Sequence, residues 1–214
     1  MSRVPRPAAC MAALALGACV VGSLAGQDVP QLCKAISKVT VGRWASYTVS
    51  GGQATGATIR FAVVGSEQRG DTTLYWLEIN DSGAGPRDGG ILQVLVPGFG
   101  VEGVGVRGMV MKTGTQPAMR LPDQMLALVG QQMVQNNPAL GIVRRCASAQ
   151  VVGWETVTVP AGSIRALHVK DTDGEAWLSG EVPFGIVKGH AKDGSEMVLT
   201  GRGVGATSSI TEKP

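Results

Sequence analysis

Apolar and polar residues in this chain recur mostly with a period of two, the signature of strands with one buried face. Residues 43–49 (RWASYTV), 58–64 (TIRFAVV), 72–79 (TTLYWLEI) and 91–96 (ILQVLV) are β-branched or aromatic runs bounded by Gly, Asp, Asn or Pro. After residue 149 the pattern returns at 150–159, 164–171, 175–179, 185–190 and 196–202. Pro160-Ala161-Gly162, Asp171-Thr172-Asp173-Gly174 and Lys192-Asp193-Gly194-Ser195 separate these runs at the spacing of an antiparallel meander. A helical period appears once with clear ends. Leu121, Met125, Leu128, Val129 and Met133 recur at helical spacing, Pro122 and Asp123 open the segment, and Asn136-Asn137-Pro138 stop it. Residues 29–38 form one or two helical turns. The expectation is a mainly β, α+β chain: a curved antiparallel sheet or half-barrel with one principal helix at about 121–136, within a single domain spanning 41–205. Residues 26–40 form an N-terminal segment, and the small, polar residues 206–214 read as a frayed tail.

The first 25 residues follow a different pattern. Arg3 and Arg6 precede a run of small and apolar residues, and Ser23-Leu24-Ala25 fits a small-x-small cleavage site, so 1–25 reads as a signal peptide. Two forms of export stand open. Cleavage after Ala25 gives a free periplasmic or extracellular protein. Alternatively, Leu16-Gly17-Ala18-Cys19 is a lipobox and Cys19 carries a lipid anchor. The apolar run is shorter than the roughly 20 residues of a membrane span, and no later stretch approaches that length.

Composition then narrows the chemistry. The mature chain is long enough for its own core, and low charge (16%) with ample aliphatic residues argues for folding. A net charge of +3 without any Lys/Arg cluster excludes a nucleic-acid footprint. With Cys10 and Cys19 in the export segment, Cys33 and Cys146 remain, and two lone cysteines in an oxidising compartment pair as a structural disulfide.

No catalytic constellation emerges, and no cofactor or metal is implied. Gly98-Phe99-Gly100-Val101-Glu102-Gly103 has the letter pattern of a dinucleotide fingerprint, but a β-like stretch follows where a helix is needed. His168 and His190 lack metal-ligand spacing; a zinc site would need them to converge with Glu175, Glu181 or Glu196. No GxSxG elbow is present. Met109, Met111, Met119, Met125 and Met133 are concentrated around the predicted helix, and methionine adapts to irregular apolar surfaces. Two readings follow: core filling, or an apolar cavity lined by Met125, Leu128, Val129 and Met133, with Trp44 and Trp76 opposite.

The stretch Gly153-Trp154-Glu155-Thr156-Val157-Thr158-Val159-Pro160-Ala161-Gly162-Ser163-Ile164-Arg165-Ala166 carries a family likeness. It continues through Trp177 to Val182-Pro183-Phe184-Gly185-Ile186-Val187-Lys188. Over residues 150–203 it resembles the C-terminal meander of bacterial exported proteins of unknown function with a lipoprotein-carrier type of half-barrel. That resemblance implies a curved antiparallel sheet closed by helices and an envelope location. The function expected is an exported, non-enzymatic protein binding a lipid or another apolar small molecule. The alternative is a solid-cored envelope protein that binds a protein partner; an extracytoplasmic hydrolase is the third class.

Overall fold

The computed structural model describes residues 28–52, 56–82, 89–99 and 105–211. The expected signal peptide, the Cys19 lipidation site, much of the 98–103 glycine motif and residues 212–214 lie outside them. Helix α1 (Asp28–Ser37) leads into β1 (Trp44–Ser50), β2 (Ala57–Arg69), β3 (Thr72–Asp81), β4 (Gly90–Val96), β5 (Gly108–Thr113) and β6 (Met119–Arg120). Two helices follow, α2 (Asp123–Asn136) and α3 (Pro138–Ser148). The chain ends with β7 (Gln150–Val159), β8 (Gly162–Asp171), β9 (Gly174–Leu178), β10 (Ile186–Ala191) and β11 (Glu196–Gly203).

All strands join one antiparallel sheet in the order β6-β5-β4-β3-β2-β1-β11-β10-β9-β8-β7. Each half is a local meander, and β1 sits at the centre, paired on one side with β2 and on the other with β11. The sheet curls in its C-terminal half. At the β7–β8 corner, the Ala161 N–H donates to the Leu199 carbonyl on β11 at 3.4 Å.

The mostly β, antiparallel architecture matches the period-two pattern. The expectation of one principal helix does not: the described residues contain three. Asn137-Pro138, read as a stop, also starts α3. The Asn137 side chain accepts from the N–H groups of Ala139 and Leu140, and Pro138 occupies the first helical turn, where a missing N–H costs nothing.

The inner sheet face carries Ala45, Tyr47, Phe61, Val63, Leu77, Val94, Met109, Leu167 and Leu199, all buried. Phe184 meets Phe61 and Phe99 at ring separations of 5.8 and 5.5 Å. The helices cover this face, and Cys33 of α1 is bonded to Cys146 of α3 with Cα atoms 5.8 Å apart. Among the described residues no helix is long and apolar enough to cross a membrane.

The expected frayed tail is corrected for residues 206–211, which lie against the sheet. The Ala206 N–H donates to the Gly42 carbonyl, and Ala206 and Ile210 are buried. Ser208 and Ser209 reach Gln93 and Glu78 on the outer face. These hydrogen bonds and two apolar anchors hold a segment whose composition alone reads as loose.

Candidate ligand cavity

A half-open cavity of about 340 Å³ lies between α3 and the inner face of the C-terminal half-sheet. Its floor follows from strand register. Val169 of β8 pairs with Ala176 of β9, Ala176 with Gly189 of β10, Gly189 with Met197 of β11, and Met197 with Val49 of β1. These five residues form one continuous row across five strands, and all five line the cavity. Leu178 and Ile186, themselves paired, extend the apolar floor. The roof is one face of α3, Pro138, Ile142, Arg145 and Cys146, at spacings that a helix places together, with the C-cap residue Ala149 beyond it. The disulfide fixes this roof to α1 through Cys146, which is itself part of the lining.

The centre of the floor is open because its residues are small. A Cβ added to Gly189 would meet no atom within 4 Å, and Gly189 has no positive φ requiring glycine. A strand-interior glycine costs roughly 0.5–1 kcal/mol relative to alanine and often marks close approach of a ligand or another backbone. Gly174 on the adjacent row differs. Its φ is +152°, and a Cβ there would stand 2.1 Å from the His190 carbonyl oxygen. The fold itself requires that glycine.

Arg145, Asp171, Asp173, Glu175 and Glu196 at the rim have partners, and His190 stands exposed beside them. Arg145 lies 3.4 Å from Asp173, an exposed pair bridging α3 to the β8–β9 turn. Asp171 Oδ1 accepts from the N–H groups of Asp173 and Gly174. Glu196 meets Lys188 at 2.7 Å. Glu175 lies 2.9 Å from both Lys170 and His168. Hydrogen bonds from Lys170 first, then from His168, hold the Glu175 carboxyl below its ordinary pKa. On the same strands His168 stacks on Trp177 at 4.4 Å, with Glu155 3.2 Å from its Nδ1. Both ring nitrogens thus face carboxylates and one ring face is covered. Among the described residues, no three His, Cys, Asp or Glu side chains are grouped to hold a metal ion.

Of the residues predicted from sequence to line a cavity, Met125, Val129, Trp44 and Trp76 are not part of the lining of this one. Met125 is 50% exposed in the first turn of α2. Val129 is half-buried against the core. The side chains of Leu128 and Met133 lie outside the described set. Trp44 and Trp76 belong to the outer sheet face, opposite Tyr47 and Leu77. Strand side chains alternate, so Trp44 shares a cross-strand row with Ala62, Glu78 and Gln93. Its ring lies against Gly201 and Gly203 and beneath the Arg60 guanidinium, 5.1 Å from the ring centre. Gly189, Ala176, Met197 and Ile142 were not singled out from sequence. The readable signal was a glycine inside the strand run IVKGHA.

No family model and no curated protein matches the chain. Two solved structures resemble it. One, a provisionally assigned lipoprotein from Parabacteroides distasonis, is 12% identical over 78% of this chain and 98% of its own, with a TM-score of 0.38. The other, a provisionally assigned exported protein with a YmcC-like fold from Bacteroides fragilis, is 13% identical over 77% and 96%, with a TM-score of 0.38.

Proposed function

We propose that this chain is an exported, non-enzymatic protein of the cell envelope that binds an apolar ligand beneath α3, with no cofactor. The cavity carries the reading: an apolar floor built by five strands, a helical roof and a volume of about 340 Å³, within the roughly 300–1,000 Å³ of small-molecule sites. The signal-like first 25 residues and the bond between Cys33 and Cys146 support export to an oxidising compartment. The ion pairs of Arg145, Asp173, Glu175 and Glu196 at the rim and the carboxylates on both sides of His168 support binding over catalysis.

Native mass spectrometry tests this on protein exported with its own signal and purified gently. The expected result is a co-purifying lipid-sized adduct that disappears on denaturation, or uptake of an added long-chain alcohol. A bare protein mass that takes up no apolar compound overturns the reading.

A further inference from the structure

We propose that the outer face of β1–β4 is a docking groove for residues 206–211 of a second copy of this chain, filled by the molecule's own segment when it stands alone. Trp44, Ala62, Glu78 and Gln93 form one row across these four strands. The row faces away from the helices, yet Ala62, Glu78 and Gln93 are all buried. A buried carboxylate on that face needs donors brought to it. Ser209 brings two, its N–H and its hydroxyl, both to Glu78. The Gln93 side-chain amide donates to Glu78 and to the Ser208 hydroxyl. The row comes from residues 44–93 and its occupant from residues 206–211, far apart in the sequence. A second copy therefore offers the same segment, with the same bonds, from outside.

The connection to β11 favours exchange. Strand β11 ends at Gly203, Val204 is exposed, and Gly205 turns the chain at a φ of +82° with open space around it. The Ala206 N–H is tied to the Gly42 carbonyl just before β1, and Ser209 is tied to Glu78 on β3. Strands β1 and β3 lie two spacings apart, about 10 Å. The three steps from Ala206 to Ser209 reach at most about 10–11 Å. The segment is thus drawn out to nearly its full length when it docks on its own sheet. Short, taut connections invite exchange between copies. The exchanged segment keeps its bonds to Glu78 and Gln93 without having to stretch over its own strands. Reciprocal exchange of one identical element gives a symmetric dimer.

The test is sedimentation equilibrium on the exported, disulfide-bonded protein and its variants. Deleting Gly205 leaves the segment too short for its own groove, so docking within one molecule falls towards zero and a second copy must fill it. That variant is expected to dimerise at least about tenfold more tightly than the parent. Adding Glu78→Gln to the deletion should return it to monomer, since the carboxylate accepts both bonds from Ser209. Should the deletion variant not fold, an equimolar mixture of Glu78→Gln and Ser209→Pro chains carries the same test. The first supplies an intact segment and the second an intact groove, so the mixture should dimerise while each alone stays monomeric. A deletion variant that folds and remains monomeric overturns the inference. So does a dimer that Glu78→Gln leaves intact, which assigns the contact to another surface, or a mixture no more dimeric than its two parts.

Discussion

Glu78 on β3 and Ser209 beyond β11 share two hydrogen bonds: the Ser209 N–H donates to Oε2 at 2.8 Å and its hydroxyl to Oε1 at 2.7 Å. Gln93 adds a third donor at 2.8 Å, and Glu78 is fully buried. A carboxylate removed from water needs such partners, and these attach the end of the chain to the outer face of the sheet. Ser209→Ala is expected to lower stability by about 1.5 kcal/mol and Glu78→Ala by about 3 kcal/mol. Urea unfolding checks both. Equal, negligible shifts of the two midpoints would show that the segment is not anchored there.

The disulfide closes a loop between residues separated by 113 positions and holds the cavity roof. Cys33→Ser with Cys146→Ser should remove about 2–5 kcal/mol of stability. The same pair should weaken ligand retention, since α3 then depends on its packing and the exposed Arg145–Asp173 pair. Thermal melts and ligand off-rates, with and without the bond, measure the two effects separately. A roof that retains ligand equally well without the bond would show that packing alone positions α3.

Two strand glycines should respond oppositely to alanine. Gly174→Ala forces a Cβ to within 2.1 Å of the His190 carbonyl oxygen at a φ of +152°, and should cost about 2 kcal/mol or more. Gly189→Ala adds a methyl in open space on ordinary backbone, and should stabilise the protein free of ligand by about 0.5 kcal/mol. Melting temperatures moving in the same direction would contradict this contrast.

Tyr47 is buried, and its hydroxyl donates to the Ile186 carbonyl at 3.1 Å. Burial raises its pKa well above the ordinary value of 10.0. The native state therefore keeps a proton that the unfolded chain gives up above pH 10. Stability linked to this proton is intact below that pH and falls as pH rises through it, by up to about 1.4 kcal/mol per pH unit. Tyr47→Phe should lose about 1 kcal/mol at neutral pH with the hydrogen bond, but decline less steeply above pH 10. Denaturant midpoints across pH 8–12 decide it; parallel curves for the two proteins would show that another group governs alkaline unfolding.

Much of the sheet was legible because strand signals are local. TTLYWLEI and ILQVLV alternate or run apolar between turn residues, and the structure places β3 and β4 over them. Helix α3 was missed because Asn137-Pro138 is ambiguous: proline ends the preceding helix and equally suits the first turn of the next. The cavity was illegible for another reason. Its floor is a row with one residue from each of five strands, so it exists only in the register between them. Methionine enrichment pointed instead to α2, where Met125 faces solvent. The end of the chain misled through composition, since its small polar residues owe their order to Glu78 and Gln93, far back in the sequence.

The place of β1 at the centre of the sheet sets an order of events. Strands β2 to β6 and β7 to β11 can each zip up with nearest neighbours, whereas β1 waits for β11 before the two halves become one sheet, with Trp44 opposite Gly203. Contacts between such distant parts of the chain form slowly. A chain stopped short of β11 therefore holds two unjoined flanks, and Val49 never meets Met197. The cavity floor is completed only when β11, the last strand among the described residues, pairs with β1.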